Sequence, residues 1–229
     1  MGSAVTAVLD NPAYAALTGP HAGFAERVGR ALRYPSDVSP FTAIPSDPTA
    51  SDWADLAALV GSGGLVAFGS PDGIDVPDGW SVAFEGAGVQ MVGDGVVPAR
   101  DDRAVRLGPD DVPEILDLVA RTEPGPFLPR TIELGTYLGV RRHGELVAVA
   151  GERLRLPGWT EISAVCTDPS VRGQGLASAL VRHVAANIVD AGSVPFLHAA
   201  ADNVGAIALY EHLGFTVRSR VRFTALVAP

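Results

Sequence analysis

The chain has 229 residues, enough for one large domain or two smaller ones, and its 47% hydrophobic and 19% charged content implies a sizeable buried core. A net charge of −9 with no run of Lys or Arg argues against a nucleic-acid partner, and no apolar stretch is long enough to cross a membrane. The single cysteine, Cys166, rules out an intrachain disulfide, makes a metal site of thiolates untenable and fits a reducing, cytoplasmic setting.

In chain order, Met1-Gly2-Ser3-Ala4-Val5-Thr6 fits the loose N-myristoylation pattern, but so short a match is common and Gly2-Ser3 reads equally as a cloning remnant. Residues 24–32 read as helical and residues 35–48, rich in Pro, Ser and Asp, as loop with a short strand. Residues 52–60 read as a helix capped by Ser51, since Leu56, Leu59 and Val60 share a face. Gly61-Ser62-Gly63-Gly64 lacks the Gly-Lys-Ser/Thr ending of a phosphate loop and follows a helix rather than a strand, so it reads as a plain turn. Short strands are expected over 65–68 and 80–84. A Gly/Asp/Pro-rich stretch at 93–102 then suggests a division into an N-terminal α/β region, residues 1–99, and a second domain, residues 100–229.

The second half is more regular. A strand at 104–107 precedes an amphipathic helix at 109–121 with Val112, Ile115, Leu116 and Val119 on one stripe. Strands at 137–142 and 146–154 form a hairpin closed by His143-Gly144, and Pro157-Gly158 turns into a third antiparallel strand at 160–167. After Asp168-Pro169 comes a long helix with Leu176, Leu180, Val184 and Ile188 aligned, then a strand at 194–199, a helix at 203–212 and a last strand from 215 to 227.

The most specific feature is the junction Val165-Cys166-Thr167-Asp168-Pro169-Ser170-Val171-Arg172-Gly173-Gln174-Gly175-Leu176-Ala177-Ser178, a strand running into a Gly-rich helix start. The first N–H groups of a helix have no internal partners and carry roughly half a positive charge, and glycine lets an anion approach them closely. This segment resembles the Arg/Gln-x-x-Gly-x-Gly/Ala signature of GNAT acyltransferases, with Arg172, Gly175 and Ala177 at the matching positions. A second stretch, Phe196-Leu197-His198, Asn203 and Ala206-Ile207-Ala208-Leu209-Tyr210-Glu211-His212-Leu213-Gly214-Phe215, is similar to the family's closing strand–helix–strand block. The resemblance covers about residues 103–229. It implies an α+β fold in which helices flank a mixed, mostly antiparallel sheet. The first half is left as a smaller α/β region of unassigned role, with a degenerate copy of the same fold as one reading.

The resemblance further implies acetyl-CoA or another acyl-CoA as co-substrate, no metal, and a small-molecule or peptide amine as acceptor. Val165, Cys166 and Thr167 would run beside the pantetheine arm. Arg172, Gly173, Gln174, Gly175, Leu176, Ala177 and Ser178 would wrap the diphosphate, and Asn203 would reach the pantetheine or help hold the splay between the two central strands, cap its helix, or do both. Tyr210 would protonate the leaving thiolate, as an alternative to simply packing. For the base, His198 comes first and Glu161 second. Strict alternation would put Glu161 on the side of Ser163, Val165 and Thr167, with Glu152 beside it as a further carboxylate. Cys166 alternates away and has no base in view, so it reads as a core residue rather than a nucleophile. Two other classes compete: an inactive acyl-CoA-binding sensor, and a dinucleotide-binding oxidoreductase, which Arg-Gly-Gln-Gly and the antiparallel strands before it contradict.

Overall fold

The computed structural model describes residues 6–71 and 73–229; the myristoylation pattern at Met1 to Thr6 falls almost wholly outside them. Eight strands form one mixed, mostly antiparallel sheet. They are β4 (Leu65–Ser70), β5 (Ser81–Val92), β6 (Ala104–Arg106), β7 (Tyr137–Arg142), β8 (Glu145–Leu156), β9 (Trp159–Thr167), β10 (Val194–Ala200) and β11 (Thr216–Val227). Their spatial order is β4-β11-β5-β10-β9-β8-β7-β6. Ahead of them, β1 (Glu26–Val28), β2 (Ala31–Arg33) and β3 (Thr42–Ala43) make a small antiparallel sheet. The helices are α1 (Pro12–Leu17), α2 (Ala50–Val60), α3 (Val112–Thr122), α4 (Leu176–Asp190) and α5 (Val204–His212). None is long and apolar enough to cross a membrane.

The expected division near residue 100 does not interrupt the sheet. Strand β5, from the first half, pairs antiparallel with β10 through Phe196↔Val92 to Ala200↔Gly88, and with β11 along its other edge. Strand β4 extends the sheet beyond β11. The helix expected over 24–32 is instead the β1–β2 hairpin, because Gly29 adopts φ +51° and Arg30 completes a two-residue turn between Val28 and Ala31. Helix α2 starts two residues earlier than expected. Thr49 rather than Ser51 caps it, in a box closed by Asp52.

Two packed layers hold the central strands. On one face, Leu176, Leu180, Val184 and Ile188 of α4 pack with Ile162, Leu197 and Phe215. On the other, Ile115 and Leu118 of α3 cover Val149, Ala164 and Cys166, while Leu17, Leu32 and Tyr34 of the first half cover Leu156, Trp159 and Phe196. The hairpin turn at His143-Gly144 has both residues at positive φ, 52° and 91°, the left-handed geometry that matches strand twist.

Candidate active site

Strands β9 and β10 are the only parallel neighbours in the sheet among the described residues, and they pair briefly: Val194↔Trp159, Pro195↔Thr160 and Phe196↔Glu161. Beyond these pairs β9 continues to Thr167 and β10 to Ala200 without further pairing between them. The β9 edge from Ser163 to Thr167 therefore faces a gap in the sheet, with backbone groups open to an added extended chain. The hydroxyl of Thr167, at the end of that edge, is buried without a hydrogen-bond partner among the described residues.

The same stretch carries an irregularity that overturns strict alternation. Val149 lies opposite Cys166 and Gly151 opposite Ser163, so three steps on β9 answer two on β8. Ala164, at φ +53°, is in the middle of this bulge. Ala164 and Cys166 both pack in the α3 layer, whereas Ile162 and Val165 pack in the α4 layer. Glu161 alternates from Ile162 and so lies on the face away from Val165, not with it. A second bulge, on β8 between Glu152 and Arg155, sets Glu152 opposite Ile162, where it bonds Arg155 at 2.9 Å rather than joining Glu161. Cys166 is buried as expected, and burial raises its thiol pKa further from the reactive range.

At the end of β9, Asp168 caps a short 3-10 turn, Pro169–Val171, and Arg172 reaches back to donate from Nε to the Thr167 carbonyl at 3.3 Å. Gly173 and Gly175 follow at φ 79° and 73°, and Gly175 occupies the cap position of α4 with no side-chain cap. The glycines are needed for that left-handed backbone, and a Cβ at either would meet nothing within 4 Å. The first backbone bond into the helix is Ala179 N–H to Gly175 O at 3.0 Å. The N–H groups of Leu176, Ala177 and Ser178 thus have no protein acceptor among the described residues. Gln174 accepts from Arg142 at 3.4 Å. An open loop of backbone donors at a helix start fits a doubly charged phosphate group, and the free β9 edge fits the amide-bearing arm that leads away from it.

Tyr210 is on α5, buried to 7% exposure, its ring edge-on to Phe215 at 5.9 Å. Burial pushes its pKa up to about 12, with the nearby Cys166 adding to the shift, so the hydroxyl keeps its proton at neutral pH. Asn203 caps α5, its side-chain oxygen accepting from Ala206 N–H at 3.1 Å.

The two expected base residues meet. His198 Nδ1 is 2.7 Å from a carboxylate oxygen of Glu161. Glu161 is fully buried and also receives a two-pronged bond from Arg153, 2.8 Å at each oxygen. Burial alone would raise its pKa, but the charge and hydrogen bonds of Arg153, reinforced by His198, hold it well below the usual carboxylate range. Both Glu161 oxygens are engaged, Oε1 by Arg153 and His198 and Oε2 by Arg153. Arg153 stacks on the Phe41 ring, 4.9 Å from the centroid. On the far side of His198, Nε2 is 3.1 Å from the side-chain nitrogen of Gln90 on β5. Sequence reasoning missed Arg153 and Gln90. The available signal was a charged pair, Glu152-Arg153, directly after the apolar run 146–151, and a lone amide between Val89 and Met91.

Comparison with known proteins agrees with this geometry. A family model described as FR47-like protein matches residues 137–224. Over 84 residues the chain is 37% identical to N-alpha-acetyltransferase RimI of Mycobacterium tuberculosis, a match covering 34% of this chain and 51% of that protein. The matched stretch thus spans about half the length of that relative. A crystal structure of a candidate acetyltransferase of the GNAT family from Novosphingobium aromaticivorans is 39% identical, covers 96% of this chain and 98% of its own, and superposes with a TM-score of 0.88. A GCN5-related N-acetyltransferase from Kribbella flavida, 16% identical with a TM-score of 0.62 over 100% of this chain and 97% of its own, shares the fold.

Proposed function

Because the chain belongs to the GNAT acetyltransferase family, we propose that it moves an acyl group, acetyl in the simplest case, from acyl-CoA directly onto an amine. The observation that carries this reading is the gap between β9 and β10, which opens beside an uncapped, Gly-rich helix start. The bound thioester supplies an activated carbonyl. In this reading the backbone from Arg172 to Ser178 holds the diphosphate, and the edge at Val165 and Thr167 takes the pantetheine arm as an added strand. The buried Cys166 and Leu176 side chains anchor the two segments that present those donors. Backbone N–H groups at the β9 bulge stabilise the carbonyl oxygen as it gains charge. His198 takes the proton that the amine must lose, and Tyr210 returns one to the departing sulfur.

The relative from M. tuberculosis is named for N-alpha-acetylation, so peptide N-terminal amines are the first acceptor class to try; small-molecule amines are the second. A reducing, cytoplasmic compartment belongs to the same proposal. The test is calorimetry with acetyl-CoA, followed by thiol release over a panel of peptides and small amines. Binding with turnover supports a transferase. Binding without turnover on any acceptor favours an inactive sensor, and no heat at millimolar acetyl-CoA overturns the reading.

A further inference from the structure

The first half of the chain reaches the candidate base directly, through a side chain whose orientation is fixed from three sides. Arg218 donates from Nη1 to the Gln90 side-chain oxygen at 2.8 Å. A guanidinium only donates, so the oxygen of the Gln90 amide must face it and the nitrogen must face the other way. That nitrogen donates to the Leu9 carbonyl at 2.8 Å, and its second N–H points at His198 Nε2, 3.1 Å away. Arg218 is itself anchored by the Thr6 carbonyl at 3.1 Å and Asp10 at 2.6 Å. Gln90 is fully buried. At the other end of the imidazole, the ionised Glu161 carboxylate accepts only, so Nδ1 carries the proton. The Nε2 lone pair is then the acceptor of the Gln90 N–H.

We propose that Gln90 is a positioning residue for His198. With Glu161, it fixes the ring as the Nδ1–H tautomer and keeps the Nε2 lone pair directed until an acceptor amine takes over that hydrogen bond. The inference rests on His198 being the base. In the step it serves, the N–H bond of the attacking amine breaks, a proton joins Nε2, and the nitrogen's electron pair forms the new amide bond. The C–S bond breaks, and the thiolate takes the Tyr210 proton. The Gln90 N–H has to leave the lone pair for this to happen. A fixed amide makes that exchange a small displacement instead of a search by a free ring.

The experiment compares the intact protein with Gln90→Leu, which removes the donor, and Gln90→Glu, which replaces it with an acceptor, using ¹⁵N-histidine labelling. His198→Gln assigns the His198 signals. The parent should show Nδ1 protonated and Nε2 as a hydrogen-bonded lone pair. In Gln90→Leu the Nε2 signal should move toward a free lone pair, and in Gln90→Glu toward a protonated nitrogen. Acetyl-CoA affinity by calorimetry should stay within about twofold in both, while kcat on peptide amines falls roughly tenfold, part of the 10²–10⁴ that general base catalysis supplies. Unchanged ring signals in both variants would overturn the proposal. If His198→Gln keeps full turnover, the base assignment itself is wrong. If that variant loses turnover while neither Gln90 variant does, only the present inference falls.

Discussion

The two ends of the candidate site are built on opposite principles. From Arg172 to Ser178 the chain is exposed or half-exposed except at Leu176, takes no side-chain cap and offers backbone donors to whatever enters. From Arg153 through Glu161 and His198 to Gln90, the polar side chains are largely buried, and each is matched to a partner at 2.7 to 3.1 Å. An anion site needs unsatisfied donors, and at a helix start these persist at low cost because water replaces the ligand when it leaves. A proton-transfer site needs one tautomer and one orientation, which buried, fully matched partners supply.

The sharpest probe of this contrast is Tyr210→Phe, which removes a proton donor without disturbing the ring contact with Phe215. Turnover should fall by about 10²–10⁴-fold with acetyl-CoA affinity retained, and a loss of only twofold or threefold in steady-state assays would remove its acid role. Arg153→Met should act on stability instead. It leaves the Glu161 carboxylate buried without its cation, a change that costs on the order of 3–5 kcal/mol and would appear as a lower urea midpoint. Gly175→Glu tests the open end. It forces a side chain onto φ 73° and sets a negative charge at the helix start, so calorimetry should show acetyl-CoA affinity reduced about 100-fold, near 2.7 kcal/mol. Equal affinity would mean that the diphosphate binds elsewhere.

Acid titration should separate the layers in a weaker way. His21 is buried against Tyr34, and its pKa is lowered to about 4, chiefly by burial and further by Arg155. The unfolded chain therefore binds a proton there first, and stability should decline as pH falls from 6.5 toward 4. Glu161 has a depressed pKa in the fold, so its contribution is complete above about 4.5 and is lost as pH falls toward about 2. Urea midpoints of His21→Gln should lack the first decline and keep the second. The smallest effect belongs to Asn203→Ala, which removes the α5 cap and should cost about 1 kcal/mol.

How much of this was legible depends on sequence separation. The cradle is one contiguous run, and its glycines, its preceding strand and its following helix can be read off residues 163–178 in order. The polar chain is gathered from β8, β9, β10, β5 and β11, so His198 and Glu161 could be singled out but not their contact, and Gln90 gave almost no local signal. The bulge at Ala164 was hidden as well. Alternation is a rule with period two, and one extra residue reverses every side chain beyond it without changing composition. In the first half, residues 24–32 read as a helix and fold as a hairpin, because a three-residue strand is too short to show its own period.

Strand β5 has a consequence for how this chain is made. It is complete by residue 92, yet its neighbours on either side are residues 194–200 and 216–227. During synthesis it must wait, unpaired on both edges, through more than a hundred further residues before the slot that receives it exists. Closure of the sheet is therefore the last event, dominated by contacts distant along the chain, and such contacts form slowly. Val82 and Phe84 at the start of that strand stay exposed even after the sheet closes, so that end of the strand gains little apolar burial from the event.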